Sequence, residues 1–163
     1  MYWLKQLSVT DSVDIYEMLQ TIDECENEFK NPVCGMSYKD FKQWLVEQDE
    51  WSKGLNLPFG YVGQTSYWLM KDDEPVGYGK IRHALTDHSR MVGGNIGYAI
   101  SKKYRGQGLG KILLALLVNK ADEIGVEEKL LTVEKYNYAS KRVIESNGGR
   151  QFAENEFRWY FEI

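Results

Sequence analysis

Only two cysteines occur in 163 residues. Cys25 and Cys34 lack the paired spacing of a zinc site and are too few for a disulfide framework, so both read as reduced structural thiols. The N-terminal stretch MYWLKQLSVTD has no basic segment followed by an apolar core, which argues against a signal peptide. The longest uninterrupted apolar run, Ile112 to Val118, falls far short of the roughly 20 residues that span a bilayer. Positive charge is scarce too: 20 basic residues against 24 acidic ones give a net charge of −4, and no basic stripe with interleaved aromatics occurs. These absences predict no nucleic-acid partner, no membrane partner and a cytoplasmic, unanchored protein. No internal repeat or low-complexity linker divides the chain.

What is present is a globular composition: 43% hydrophobic, 27% charged and 13% aromatic residues, eleven of them tyrosine. The length fits one domain over 1–163, since domains commonly hold about 100–200 residues, and lets about 68–70% of the unfolded surface be buried. Tyr2 to Leu7 reads as a first strand, and Thr10 or Asp11 can cap a helix carrying Val13, Ile15, Tyr16, Met18 and Leu19. Phe41, Trp44 and Leu45 recur at helical spacing within 38–48. The Gly- and aromatic-rich stretch 51–65 reads as a long loop. A hairpin follows around the acidic cluster at 72–74, with strands over 66–71 and 75–83. After a second loop come a strand at 95–101, a helix at 108–124 stopped by Gly125, a strand at 129–134, a helix opened by Asn137, and a closing hairpin at 150–153 and 157–161. This order predicts an α/β fold with a mixed sheet covered on both faces.

The joint YAISKKYRGQGLGKILLALL, residues 98–117, carries the chemistry. A nucleotide-phosphate loop needs GxxxxGK followed by Ser or Thr, but Gly106 to Gly110 is one residue short and Ile112 replaces the hydroxyl. A dinucleotide fingerprint needs GxGxxG, and here the third glycine comes one residue early. The pattern R/Q-x-x-G-x-G/A is met by Arg105, Gly108 and Gly110. At this point the chain resembles the GNAT superfamily of N-acetyltransferases. The resemblance follows the order of elements along the chain, and residues 95–149 carry its specific motifs. GYVGQTSYWL, IRHAL and GGNIGY look like a subgroup of that family.

The resemblance implies a GNAT fold. Its sheet is mostly antiparallel, has six to seven strands, and splays between the fourth and fifth. It implies acetyl-coenzyme A as cosubstrate and no metal. The pyrophosphate would lie on the N–H groups at a helix N-terminus, from Arg105, Gly106, Gln107, Gly108, Leu109, Gly110 and Lys111. The main chain of Tyr98, Ala99 and Ile100 would pair with the pantetheine arm, and Asn137, in NYASKRVIESNGG, would reach it with Ser140 nearby. Asn137 also fits as a plain helix cap, and the two roles are compatible.

Acetyl transfer to an amine needs a proton acceptor or a water pathway, because a lysine-like amine is almost wholly protonated at neutral pH. Asn95 stands where many members of the family keep a glutamate, which leaves Glu134 and His83 as candidate bases. Ile144 stands where the family often has a tyrosine acid, which leaves Tyr138 or Tyr136. The acceptor, a small-molecule or peptide amine, is expected among residues 21–37, 51–65, 84–93 and the last hairpin. There the acidic run at 23–28 could attract a cation or simply form a solvated helix end, and Trp44, Trp51, Phe59 and Tyr61 could wall a pocket or simply pack. The rivals are a non-catalytic acyl-coenzyme A binding or sensor module and a nucleotide-binding protein. Oligomeric state is open, a homodimer included.

Overall fold

The computed structural model describes residues Met1–Ile163. The first half of the chain forms β1 (Tyr2–Gln6), α1 (Val13–Gln20), a small hairpin of β2 (Cys25–Glu26) and β3 (Phe29–Lys30), and α2 (Tyr38–Ser52). Next come β4 (Gln64–Lys71), β5 (Glu74–Arg82), the short α3 (Asp87–Met91) and β6 (Ile96–Ile100). A 3-10 turn, Lys102–Tyr104, leads into α4 (Leu109–Glu123), followed by β7 (Leu130–Glu134), α5 (Tyr138–Ser146), β8 (Arg150–Glu154) and β9 (Arg158–Glu162). The seven strands and four longer helices read from the sequence all form. No helix is long and apolar enough to cross a membrane.

Two features were not anticipated. The β2–β3 hairpin has two-residue strands, too short for any period to show, and it turns through Asn27 and Glu28 at φ 48° and 68°. Within the expected loop at 84–93, Thr86 and Ser89 make a capping box that starts α3. The first helix also begins differently. Its N-cap is Ser12, because Asp11 is buried and accepts bonds from the Ser8 N–H (2.9 Å), the Trp68 indole (2.7 Å) and the Lys5 ammonium.

Strand alternation builds two cores. On one face of the sheet, Trp68, Met70 and Tyr78 pack with Phe41, Trp44 and Leu45 of α2 and with Ile15, Met18 and Leu19 of α1. On the other, Tyr67, Leu69, Ile81 and Ile96 meet the apolar stripe Leu109, Leu113, Leu114 and Leu117 of α4.

The strands run in two antiparallel groups, β1-β4-β5-β6 and β7-β9-β8. The groups meet where β6 begins. The Asn95 N–H donates to the Leu130 carbonyl (3.0 Å), the Leu130 N–H donates to Asn95 Oδ1 (2.8 Å), and Asn95 Nδ2 donates to the Glu128 carbonyl (2.6 Å). A Cβ on Gly94 would collide with the Leu130 carbonyl, so a glycine is required there. Beyond this clasp β6 and β7 share no ladder, which is the expected splay between the fourth and fifth long strands.

Candidate active site

The glycine joint has the backbone that its sequence demands. Gly106 and Gly108 sit at φ 74° and 78°, and nothing lies within 4 Å of where a Cβ would be on either. Both therefore serve backbone conformation and open approach, since a side chain resists the left-handed region. The N–H groups of Gly106, Gln107 and Gly108 have no backbone acceptor and precede the 15-residue α4, whose dipole adds positive potential. Leu109 is buried in the core and anchors the turn, while Lys111 is exposed beside it. Arg105 donates from Nε to the Ile100 carbonyl (3.1 Å) and pairs with Glu26 of the hairpin (2.5 Å).

Two cavities flank the splay. The smaller, about 190 Å³, is lined by Tyr98, Ala99, Ile100, Asn137, Ser140 and Val143 among others. Five of these, Tyr98, Ala99, Ile100, Asn137 and Ser140, are the residues outside the glycine joint that the resemblance relates to the pantetheine arm. The Asn137 side chain also caps α5 by accepting the Ser140 N–H (3.3 Å). The larger cavity, about 530 Å³, lies between β5, β6, the β2–β3 hairpin and the segments 59–64 and 86–93. Asn27, Tyr98 and Ser140 line both cavities. At this junction the Tyr98 hydroxyl meets Ser140 Oγ at 2.9 Å, and burial pushes the phenol up to about 12 against the smaller lowering effect of that bond. Tyr98 is therefore protonated at neutral pH.

None of the three catalytic candidates lines either cavity. His83 follows Arg82, and alternation turns it to the opposite face, where Nε2 meets Thr65 Oγ1 at 2.7 Å and burial lowers its pKa. Glu134 is exposed at the end of β7, opposite Arg158. Tyr138 is exposed, its ring centroid 5.5 Å from that of Trp159, and Tyr136 is more exposed still. Ile144, where a tyrosine was expected, is buried and forms part of the larger cavity's wall.

The aromatic candidates divide. Trp51, Phe59 and Tyr61 line the larger cavity, with Trp51 and Tyr61 edge to face at 5.5 Å, whereas Trp44 is core beside Trp68 and Tyr78. The acidic run does not offer free carboxylates at the cavity. Asp23 pairs with Lys102, Glu26 with Arg105, and Glu28 with Arg158, whose Nε reaches both carboxylate oxygens (2.8 and 3.1 Å). Cations line the cavity instead. Lys80 and Arg82, two residues apart on β5, share its wall with Lys30, and the His88 imidazole lines it too. Burial, then the charges of Arg82 and Lys30, pushes Lys80 down to about 7, and burial also lowers Arg82.

Residues 16–148 match the acetyltransferase (GNAT) family. The chain belongs to it. No curated protein matches the sequence. Among solved structures, the GNAT fold extends to a Campylobacter jejuni N-acetyltransferase, PseH, in complex with acetyl coenzyme A, at 13% identity and TM-score 0.66, covering 100% of this chain and 98% of that one. The ribosomal-protein-S5-alanine acetyltransferase of Vibrio fischeri is similar at 14% identity and TM-score 0.74, covering 99% and 92%. RimL, a ribosomal L7/L12 α-N-protein acetyltransferase in complex with coenzyme A, is similar at 14% identity and TM-score 0.68, covering 98% and 92%.

Within this GNAT chain, Lys80, Arg82 and Thr132 line the cavity from outside the segments expected to meet the acceptor, His88 lies within the expected segment 84–93 but the sequence does not single it out, and the resemblance gives the side chain of Tyr98 no role. A signal existed for two of them. In the pattern Lys80-Ile81-Arg82 the apolar residue belongs to the core, so alternation places both cations together on the other face. Thr132 accepts the Gly93 N–H (2.7 Å) across the splay, a contact between residues 39 apart that no local pattern encodes.

Proposed function

We propose that residues 1–163 act as one domain that transfers an acetyl group from acetyl-coenzyme A to a primary amine, directly and within a ternary complex. The observation that carries this reading is the junction: the small cavity, lined by the expected pantetheine-arm residues, and the large one share Tyr98 and Ser140. In this reading the pyrophosphate rests on the N–H groups of Gly106 to Gly110, with Arg105 and Lys111 adding charge. The arm lies along Tyr98, Ala99 and Ile100, with Asn137 and Ser140 on its other side. The thioester then reaches the junction, where the amine nitrogen bonds to the acetyl carbon and the carbon–sulfur bond breaks. Tyr98, neutral and half-buried, donates a hydrogen bond to the departing sulfur, and a thiolate leaves readily because its conjugate acid has a pKa near 8.5. The amine's proton passes, directly or through water, to His88, the imidazole on the cavity wall. Main-chain N–H groups of the splayed strand stabilise the oxyanion.

The test is free-thiol release from acetyl-coenzyme A across an amine panel. Acceptor-dependent release supports the reading. Tight binding of acetyl-coenzyme A without it leaves a binding or sensor module. Stabilisation by ATP or NAD but not by coenzyme A overturns the reading altogether; about 2.7 kcal/mol is expected from the true ligand at a hundredfold excess over its Kd.

A further inference from the structure

The larger cavity holds cations without counter-ions. The Arg82 guanidinium donates from Nη1 to the Gly94 carbonyl (2.8 Å), the only hydrogen bond of that side chain, and a guanidinium carries five N–H donors. Lys80 donates to the Lys30 carbonyl, and its ammonium lies 4.5 Å from the centre of the Phe29 ring and 5.0 Å from that of Tyr78. Neither takes part in an ion pair, although twelve such pairs occur elsewhere in the molecule, among them those of Arg90, Arg105, Arg150 and Arg158. The only carboxylate lining the cavity is Glu28, and Arg158 occupies it. Lys30 adds to the positive side.

Two cationic side chains two residues apart in a cavity wall repel each other and lose hydration, a cost that a folded protein ordinarily offsets with a carboxylate; without one Lys80 holds its proton loosely, and an anion at this wall would favour its charged form. Here the free donors of Arg82 face a cavity large enough for a substrate, and the partner they lack is an anion. Lys80, Arg82, Gly97 and Tyr98 all line the larger cavity, so these cations and the junction belong to one chamber.

We propose that the acceptor amine carries an anionic group, a carboxylate or a phosphate, which Arg82 grips through its free N–H groups while Lys80 supplies a second charge. This inference rests on the acetyl-transfer reading and narrows its substrate class. The bound anion orients the acceptor, leaving its amine free to reach the thioester at Tyr98. Free cationic amines such as polyamines are disfavoured by the same wall.

The experiment compares amines in matched pairs with and without the anion: amino acids against their amides, and phosphorylated amino sugars against the unphosphorylated sugars. The two arms separate carboxylate from phosphate. The expected result is a KM at least tenfold lower for the anionic member of one arm. Arg82→Gln should abolish that preference by raising the anionic member's KM at least tenfold, with the neutral member's KM and the Kd for acetyl-coenzyme A unchanged. Arg82→Lys should restore part of the preference, which a merely structural role for the guanidinium would not produce. Circular dichroism and thermal melting check that each variant folds. Equal or better use of the neutral members, or a rise in KM for both members alike in Arg82→Gln, overturns the inference while leaving acetyl transfer standing. Absence of thiol release with every amine overturns acetyl transfer and this inference with it.

Discussion

Asn95 and Leu130 bind each other twice, main chain to main chain at 3.0 Å and Leu130 N–H to Asn95 Oδ1 at 2.8 Å, so one side chain continues a ladder that the main chain abandons. Asn95→Ala leaves the Leu130 N–H and the Glu128 carbonyl without partners, and chemical denaturation should show a loss of about 2–4 kcal/mol. Asn95→Glu, which places the family's frequent acid there, should also lower the melting temperature and should not raise turnover, because the Glu128 carbonyl would then face a carboxylate.

Tyr98 is the hydroxyl where the cavities meet. Tyr98→Phe should lower kcat by about 10²-fold, in the range of a lost hydrogen-bond donor to developing charge, with the Kd for acetyl-coenzyme A nearly unchanged by calorimetry. Tyr138→Phe should leave both quantities alone.

His88 provides a matching contrast with His83. His88→Gln should reduce kcat about 10²-fold in steady-state kinetics if it takes the amine's proton. His83→Gln, altering a group turned towards Thr65, should change kcat less than twofold.

Glu26 holds Arg105 where the resemblance expects the pyrophosphate. Glu26→Gln removes that competing carboxylate and should tighten acetyl-coenzyme A binding by about two- to fivefold, the scale of one partly exposed ion pair. The gain should shrink as salt rises.

Lys80 has a native pKa of about 7 against an ordinary value near 10.5, so between these limits the unfolded chain binds the extra proton and stability from this residue rises with pH. Its cost to stability is greatest below pH 7, where both states are protonated. Lys80→Met should therefore raise the melting temperature more at pH 6 than at pH 9.

The parts legible from the sequence are those where the backbone restricts the residue. Gly106 and Gly108 were readable because left-handed φ values favour glycine, and Asn137 because a helix start favours a side chain that can accept the Ser140 N–H. The long strands and helices were readable from their periods. His83 was misplaced because a strand shows that neighbours alternate but not which set faces the cavity, and register with β4 and β6 decides that. The pairing of the acidic run was not readable because its partners, Arg105 for Glu26 and Arg158 for Glu28, lie 79 and 130 residues away.

Below the Asn95 clasp, the distance between the two strand groups is not set by a shared main-chain ladder. It is governed by what fills it: Tyr98, Ser140, Val143 and Ile144. Side chains change by single substitutions while ladders do not, so the bore of this passage is adjustable without refolding either sheet. Under the proposed acetyl transfer, trimming Ile144 to Val or Ala should widen the passage for a longer acyl donor.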